Sequence, residues 1–477
     1  MRLAIEDILK ATGGRLTKPD SRSPMPLVTG VSTDTRSMQP GDLFVPLRGP
    51  RADGHDFIPE AFRHGAVATL ASRRVPTLPD RAVVIEVPDT LRALGRVAAA
   101  HRRTLDVAVV GITGSVGKTT TTKMCAAVLS TRYRVGQTKE DWNAEIGVPL
   151  TLLSLDREHE VAVIEMGMRG LGQIAELVEI AQPSIGVVTS IGESHLELLG
   201  SIENIARAKG ELIAGLPESG TAILNEDDAR TGDLSALAPS RVLTFGLSPE
   251  ADVRGANLRM DGRGMTFFIT MRERTVEAHL RTWGRHNVMN ALAAAAAGTA
   301  LDVDLEDAVR GLEEFSPPKM RLQPVRLGDV LLINDAYNAS PASMRAAFEV
   351  LLALGTSRRR LAVLGEMREL GEASESLHRD VGAAAAAAAE LLITVGAGAR
   401  AIAEGALEAG VTPGHVHHTA STDEASAVLK TVMRSGDVIL IKGSRALEME
   451  RIIDALRAST GNAETRERGN PPPPLGR

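Results

Sequence analysis

The chain has 477 residues, 43% hydrophobic and 24% charged, the balance of an ordinary folded protein, which excludes wholesale disorder, a collagen-like chain and a coiled coil. Its 54 Lys and Arg stand against 60 Asp and Glu, a formal net charge of -6, which argues against a protein whose main task is coating nucleic acid. Cys125 is the single cysteine, so neither an intrachain disulfide nor a thiolate zinc cluster can form, and the cytoplasm is the expected compartment.

At roughly 150 residues per domain, the length suggests about three domains. Glu6 and Asp7 interrupt the start before an apolar segment develops, so no secretory signal is expected. Residues 1–88 mix short apolar runs with turn signals at Pro40-Gly41-Asp42 and Asp53-Gly54. They predict a small α/β unit with strands over 42–47 and 82–87. From about residue 106 the rhythm changes to continuous apolar runs at 107–110, 161–164, 185–188 and 222–224, separated by helix-length segments. That pattern predicts a parallel sheet covered on both faces. It restarts after Pro317-Pro318, with runs at 330–333, 361–364, 391–395 and 438–441, and predicts a second Rossmann-like unit. Alanine-rich stretches near Ala293 and over 383–389 read as packed helices. The mostly alanine segment 287–301 is too short and too mildly apolar to span a membrane.

The expected fold class is therefore α/β with three domains. These are a small N-terminal domain (1–88), a central P-loop ATPase-like parallel-sheet domain (89–315) and a C-terminal Rossmann-like domain (316–458). A polar tail ending in four prolines (459–477) is expected to be disordered.

The strongest local signal runs Gly111-Ile112-Thr113-Gly114-Ser115-Val116-Gly117-Lys118-Thr119-Thr120, after a buried strand and opening a helix. In such a loop backbone N–H groups approach phosphate, Lys118 reaches the outer phosphates and the Thr119 hydroxyl binds Mg²⁺. The spacing is not that of a strict Walker A loop, which wants glycine where Ile112 stands. Glu165 and His195 each lie just past a predicted strand, at the carboxyl edge where open α/β sheets bind ligands, and a carboxylate and an imidazole there can hold a second cation. Lys209 gives no signal of its own and reads by composition as a solvated helix face. Cys125, on the helix after the loop, reads as a small buried core residue.

This form of the loop resembles that of the Mur ligase family, cytoplasmic ATP-dependent enzymes that build the peptide stem of peptidoglycan and are relatives of folylpolyglutamate synthase. Residues 34–37, 40–45 and 53–57 resemble the UDP-binding N-terminal domain of its later-acting members. Residues 143–151, 334–341 and 442–445 resemble the dipeptide-adding branch. An Asp-Asn-Pro-Arg segment, typical of the diaminopimelate-adding branch, is absent from the sequence.

The resemblance implies ligation of D-alanyl-D-alanine to UDP-N-acetylmuramoyl-tripeptide through an acyl phosphate, with ATP and Mg²⁺ as cofactors; a monomer with no nucleic-acid partner and no membrane insertion is expected. It further implies that Lys118 and Thr119 serve ATP and the first Mg²⁺. Glu165, His195 and a carbamylated Lys209 hold the second, which replaces the bland reading of that lysine. Asn287 is placed at the adenine, while Arg321 and Asp335 reach the γ-phosphate and ribose from the C-terminal domain. Thr35, Arg36 and Asn143 are placed at the UDP-muramoyl substrate, and Asn338 and Ser340 at the dipeptide. Ala144 follows Asn143 where relatives often carry a second asparagine. The rival readings are another amino-acid ligase of this superfamily and a nucleotide-switched binding protein without ligase chemistry.

Overall fold

The computed structural model describes residues 1–17, 25–75, 78, 82–139 and 141–467, with side chains described as far as residue 458. Among these residues three larger sheets follow one another along the chain. The first has the order Arg15–Leu16, Val83–Glu86, Ala68–Ala71, Asp42–Phe44 and Gly30–Ser32, parallel except at its first strand. Its two predicted strands are present in shortened form.

The helix Thr90–Arg102 joins this unit to the next. Asp89 caps it by accepting from the backbone N–H groups of Leu91 and Arg92, which satisfies two of the orphan donors of the first turn. One face packs Leu94 and Val97 into a hydrophobic core that runs without a break from Ile5 and Leu70 to Leu152 and Val178. The first two units therefore share a core across the 88/89 boundary.

The central sheet has nine strands, in the order Arg274–Leu280, Gly264–Met271, Val253–Asp261, Arg241–Gly246, Thr221–Asn225, Ile185–Val188, Ala108–Thr113, Val161–Glu165 and Val135–Gln137. The four predicted apolar runs lie at its centre and pair in parallel, as expected for strands buried on both faces. The antiparallel ribbon over residues 253–280 had no counterpart in the sequence reading. In its first strand the buried positions, Val253 and Gly255, are separated by a half-buried one and the later positions are half-buried or exposed, so no continuous apolar run marks it. The helix Arg285–Ala300 covers the sheet, with Ala291 through Ala297 all at most 1% exposed. Small side chains let it approach the helix Lys118–Leu129 closely.

The C-terminal sheet has six strands, in the order Gln323–Leu327, Val330–Asp335, Val438–Lys442, Arg360–Gly365, Leu391–Val395 and Val416–Thr419, antiparallel only at the first pair. The last helix, Glu450–Glu467, corrects the expected start of the tail at residue 459. With no proline from Glu450 to Glu467, no residue there lacks the N–H that continues the helical hydrogen-bond ladder. Residues 468–477, the remainder of the expected tail, lie outside the described residues. No helix among the described residues is long and apolar enough to cross a membrane.

Candidate active site

Sheet order brings the sequence-predicted residues together. The P-loop strand Ala108–Thr113 lies between Val161–Glu165 and Ile185–Val188, with Glu165 in register with Ile112 and Val188 with Thr113. Glu165 and the segment leading to His195 thus flank the loop, at the carboxyl edge of the parallel strands.

Gly111 and Ile112 belong to the strand, and the Ile112 side chain is in the core, so the loop proper begins beyond them. Gly117 has φ of 91°, and a Cβ there would stand 2.4 Å from Asn290 Oδ1, so only glycine fits. The Thr189 hydroxyl donates to the Val116 carbonyl at 2.6 Å, and Ser115 Oγ to the Gly192 carbonyl at 3.0 Å. These bonds tie the loop to the neighbouring strand end. Lys118 opens the following helix, and its Nζ donates to the Gly114 carbonyl at 2.8 Å. Thr120 is buried behind it. Asn290, which shares the segment of Asn287 and had no assigned duty, accepts from the Thr121 hydroxyl at 3.1 Å.

The electrostatics show how closely the charges are gathered. Burial lowers the Lys118 pKa, Glu165 opposes that shift and Arg321 adds to it. Lys209 is 1% exposed and held well below the ordinary lysine range by burial and by Lys118. That finding overturns the composition-based reading of a solvated lysine. Among the described residues its Nζ makes no hydrogen bond or ion pair. His195 is lowered chiefly by burial, with Glu369 opposing and Lys118 and Lys209 reinforcing the shift. Glu165 is 4% exposed and accepts from Asn143 Nδ2 at 2.8 Å, so Asn143 sits against a candidate metal ligand.

The C-terminal domain completes the site. Arg321 Nη2 donates to the Thr119 hydroxyl at 3.0 Å, and its guanidinium lies 4.1 Å from the centroid of the Tyr337 ring. The Tyr337 hydroxyl donates in turn to Asp141 of the central domain. Asp335 accepts from Lys442 Nζ at 2.6 Å and from the Leu322 backbone N–H at 3.1 Å. Lys442 also donates to the Asn338 carbonyl at 2.9 Å. His286 feels both members of the Asp335–Lys442 pair, while burial drives its pKa down to about 4.

Other expected residues have local duties. Asn287 is buried; its Nδ2 donates to the Trp283 carbonyl at 2.7 Å and its Oδ1 accepts from Asn290 at 3.1 Å. Ser340 caps the helix Pro341–Leu354 by accepting from the Ser343 N–H. In the N-terminal domain the Thr35 hydroxyl donates to Glu60 at 3.2 Å, and Arg36 folds back on Asp34.

Family profiles match three consecutive stretches: Mur ligase family, catalytic domain, over residues 27–102; Mur ligase middle domain over 112–298; and Mur ligase, glutamate ligase domain, over 320–445. The UDP-N-acetylmuramoyl-tripeptide--D-alanyl-D-alanine ligase of Bacillus subtilis (strain 168) is 39% identical over 458 residues, covering 96% of this chain and 98% of that one. The chain belongs to the Mur ligase family. The fold of this Mur ligase is also that of solved relatives. A crystal structure of MurF from Acinetobacter baumannii superposes with a TM-score of 0.88 at 31% identity, covering 96% of this chain and 99% of that one. MurF ligase from Thermotoga maritima in complex with ADP gives 0.81 at 27%, covering 91% and 99%.

Of the residues that complete this Mur ligase site, Tyr337 and Lys442 lay within recognised motifs without an assigned duty. Glu369 and Asp141 were not marked at all, because their partners lie in other domains.

Proposed function

We propose that this Mur ligase joins the terminal carboxylate of UDP-N-acetylmuramoyl-tripeptide to the amine of D-alanyl-D-alanine in the cytoplasm, with conversion of ATP to ADP and phosphate. One observation carries the reading: the P-loop is completed by Arg321 of another domain, in a chain that matches a D-alanyl-D-alanine ligase over 96% of its length.

A carboxylate is a poor electrophile, so its oxygen first attacks the γ-phosphorus and ADP leaves, giving an acyl phosphate. The deprotonated dipeptide amine then adds to the acyl carbon, and collapse of the tetrahedral intermediate expels phosphate. Both reactants and the γ-phosphoryl group are anionic. Lys118 and Arg321 supply fixed positive charge against them and hold the reacting groups in line. Acyl phosphates hydrolyse readily, and the contacts Arg321 and Tyr337 make across the domain joint support closure that keeps water out.

The donor sets fit divalent cations at two places. Thr119 offers a hydroxyl to the first; for the second, Glu165 offers a carboxylate that is 4% exposed and His195 an imidazole. Among the described residues no three His, Cys, Asp or Glu side chains form a metal-holding group, so two such residues need a further anion. Lys209 can supply it. Burial and the nearby Lys118 disfavour its ammonium form, and it is the neutral amine whose Nζ bonds to the carbon of CO₂, releases a proton and becomes a carbamate. Bound Mg²⁺ supplies charge neutralisation at the phosphoryl oxygens.

We assign the UDP sugar to the N-terminal domain, 1–88, through Thr35 and Arg36, with Asn143 contributing from the central domain, 89–315. Asn287 and Asp335 are assigned to the nucleoside, and Asn338 and Ser340 of the C-terminal domain, 316–458, to the dipeptide. Mass spectrometry of a reaction containing UDP-N-acetylmuramoyl-tripeptide, ATP and D-alanyl-D-alanine tests the reading. The expected product carries one added dipeptide for each phosphate released. Phosphate release that ignores the dipeptide, or incorporation of a single amino acid instead, would overturn it.

A further inference from the structure

Glu369 sits in the loop after the strand Arg360–Gly365 of the C-terminal sheet, and the ligase chemistry above gives it no duty. Its side chain crosses to the central domain. Oε2 accepts from His195 Nδ1 at 2.5 Å, Oε1 from Arg169 Nη2 at 2.9 Å, and the backbone carbonyl from the Glu197 N–H at 3.2 Å.

The two partners face each other from constrained backbones. His195 has φ of 58° and Glu369 of 62°; neither is glycine, and such conformations persist only where the surroundings hold them. The Glu369 loop is fixed on its own side. The Met367 N–H donates to His378 Nε2 at 2.9 Å, the Arg368 N–H to Ser444 Oγ at 3.1 Å, and the Ser444 N–H to the Glu366 carbonyl at 3.1 Å. The loop that carries the carboxylate is thus bonded to its own C-terminal domain. Its bond to Arg169, whose side chain is 73% exposed, is of the kind that contributes little by itself. The bond to His195 is different in kind. A carboxylate only accepts, so Nδ1 must carry the proton, and in the neutral imidazole Nε2 then keeps its lone pair.

We propose that Glu369 is a positioning residue acting through His195: docking of the C-terminal domain delivers its carboxylate to Nδ1, fixes the imidazole tautomer and leaves Nε2 as the ligating atom. The cation site is then completed only in the closed enzyme, and a carboxylate more than 170 residues away in sequence sets the chemistry of the histidine. This inference rests on the ligase reading for the duty of His195, but its test does not need turnover.

The full-length chain labelled with ¹⁵N-histidine is examined by NMR with ADP present, His195→Gln identifying the resonance, and Mn²⁺ binding is followed by EPR in the same samples. The wild type is expected to show the Nδ1-protonated tautomer. Glu369→Ala should lose it and weaken Mn²⁺ binding by about 10- to 100-fold. Glu369→Gln, whose amide oxygen still accepts, should keep the tautomer and most of the affinity. Arg169→Ala, which removes only the exposed ion pair, should match the wild type in both. An unchanged His195 tautomer in Glu369→Ala overturns the proposal. So does Arg169→Ala reproducing the loss, since Glu369 would then serve docking alone. Failure of the ligase reading itself would appear instead as missing peptide product, with the tautomer result intact.

Discussion

Arg321 donates from Nη2 to the Thr119 hydroxyl at 3.0 Å, so the C-terminal guanidinium proposed for the γ-phosphate is already bonded to the P-loop residue proposed for the first cation. Stacking on Tyr337 fixes the plane of the guanidinium, and the Tyr337–Asp141 bond fixes the ring. Arg321→Ala is expected to lower kcat/KM for dipeptide-dependent phosphate release by roughly 10²- to 10³-fold. Arg321→Lys should recover only part, because it keeps the charge and loses the planar fork and the stacking. Full recovery by lysine would show that charge alone matters. Lys118→Ala should abolish phosphate release, and near-normal turnover would refute the loop assignment.

Lys209 is buried beside Lys118, where an ammonium is unfavourable and a neutral amine is free to react. Lys209→Ala is expected to cost at least about 100-fold in kcat, in line with loss of a ligand-side anion. Incubation with ¹³C-bicarbonate should give the wild type a carbamate resonance that the variant lacks. A wild-type spectrum without that signal would refute the modification.

Asp335 and Lys442 are register partners at the ends of adjacent strands, with side-chain exposures of 13% and 4%. Removing one partner of such a pair strands the other charge in a poor solvent. Asp335→Asn and Lys442→Met are each expected to destabilise by about 3–5 kcal/mol, and the double variant by less than either single change. Urea titration of the three proteins checks the sign; additive losses would show that the two groups do not interact.

His286 gives a pH signature. Its folded pKa, about 4, lies below the ordinary 6.5 because burial disfavours the imidazolium. The unfolded chain therefore takes up the proton first, so this contribution is complete above pH 6.5 and is lost as pH falls towards 4. The loss amounts to up to about 3 kcal/mol. His286→Gln should flatten the decline in unfolding free energy between pH 6.5 and 4, measured by urea titration at several pH values. An unaltered slope would place the acid sensitivity elsewhere.

Much of the architecture was legible because buried parallel strands announce themselves as apolar runs, and the eight such runs at 107–110, 161–164, 185–188, 222–224, 330–333, 361–364, 391–395 and 438–441 are all strands of the two large sheets. The ribbon over 253–280 escaped notice because its first strand has no two consecutive buried positions and so carries no such run. Within the site, Lys118 and Thr119 were readable since loop, helix start and phosphate chemistry are local in sequence. Lys209 was not, because its burial comes from what packs over the helix Ile202–Ala214 and not from its neighbours in the chain.

The sequence by itself determined the P-loop, the buried parallel strands of the two large sheets and the family likeness, all of which depend on residues within a few positions of one another. Tertiary structure alone decided that Arg321 meets Thr119, that Tyr337 meets Asp141 and that Glu369 meets His195. Those pairs join separate domains across 174 to 202 positions of chain, and their contact depends on how packed sheets place their loops, a relation that no local pattern of residue types encodes.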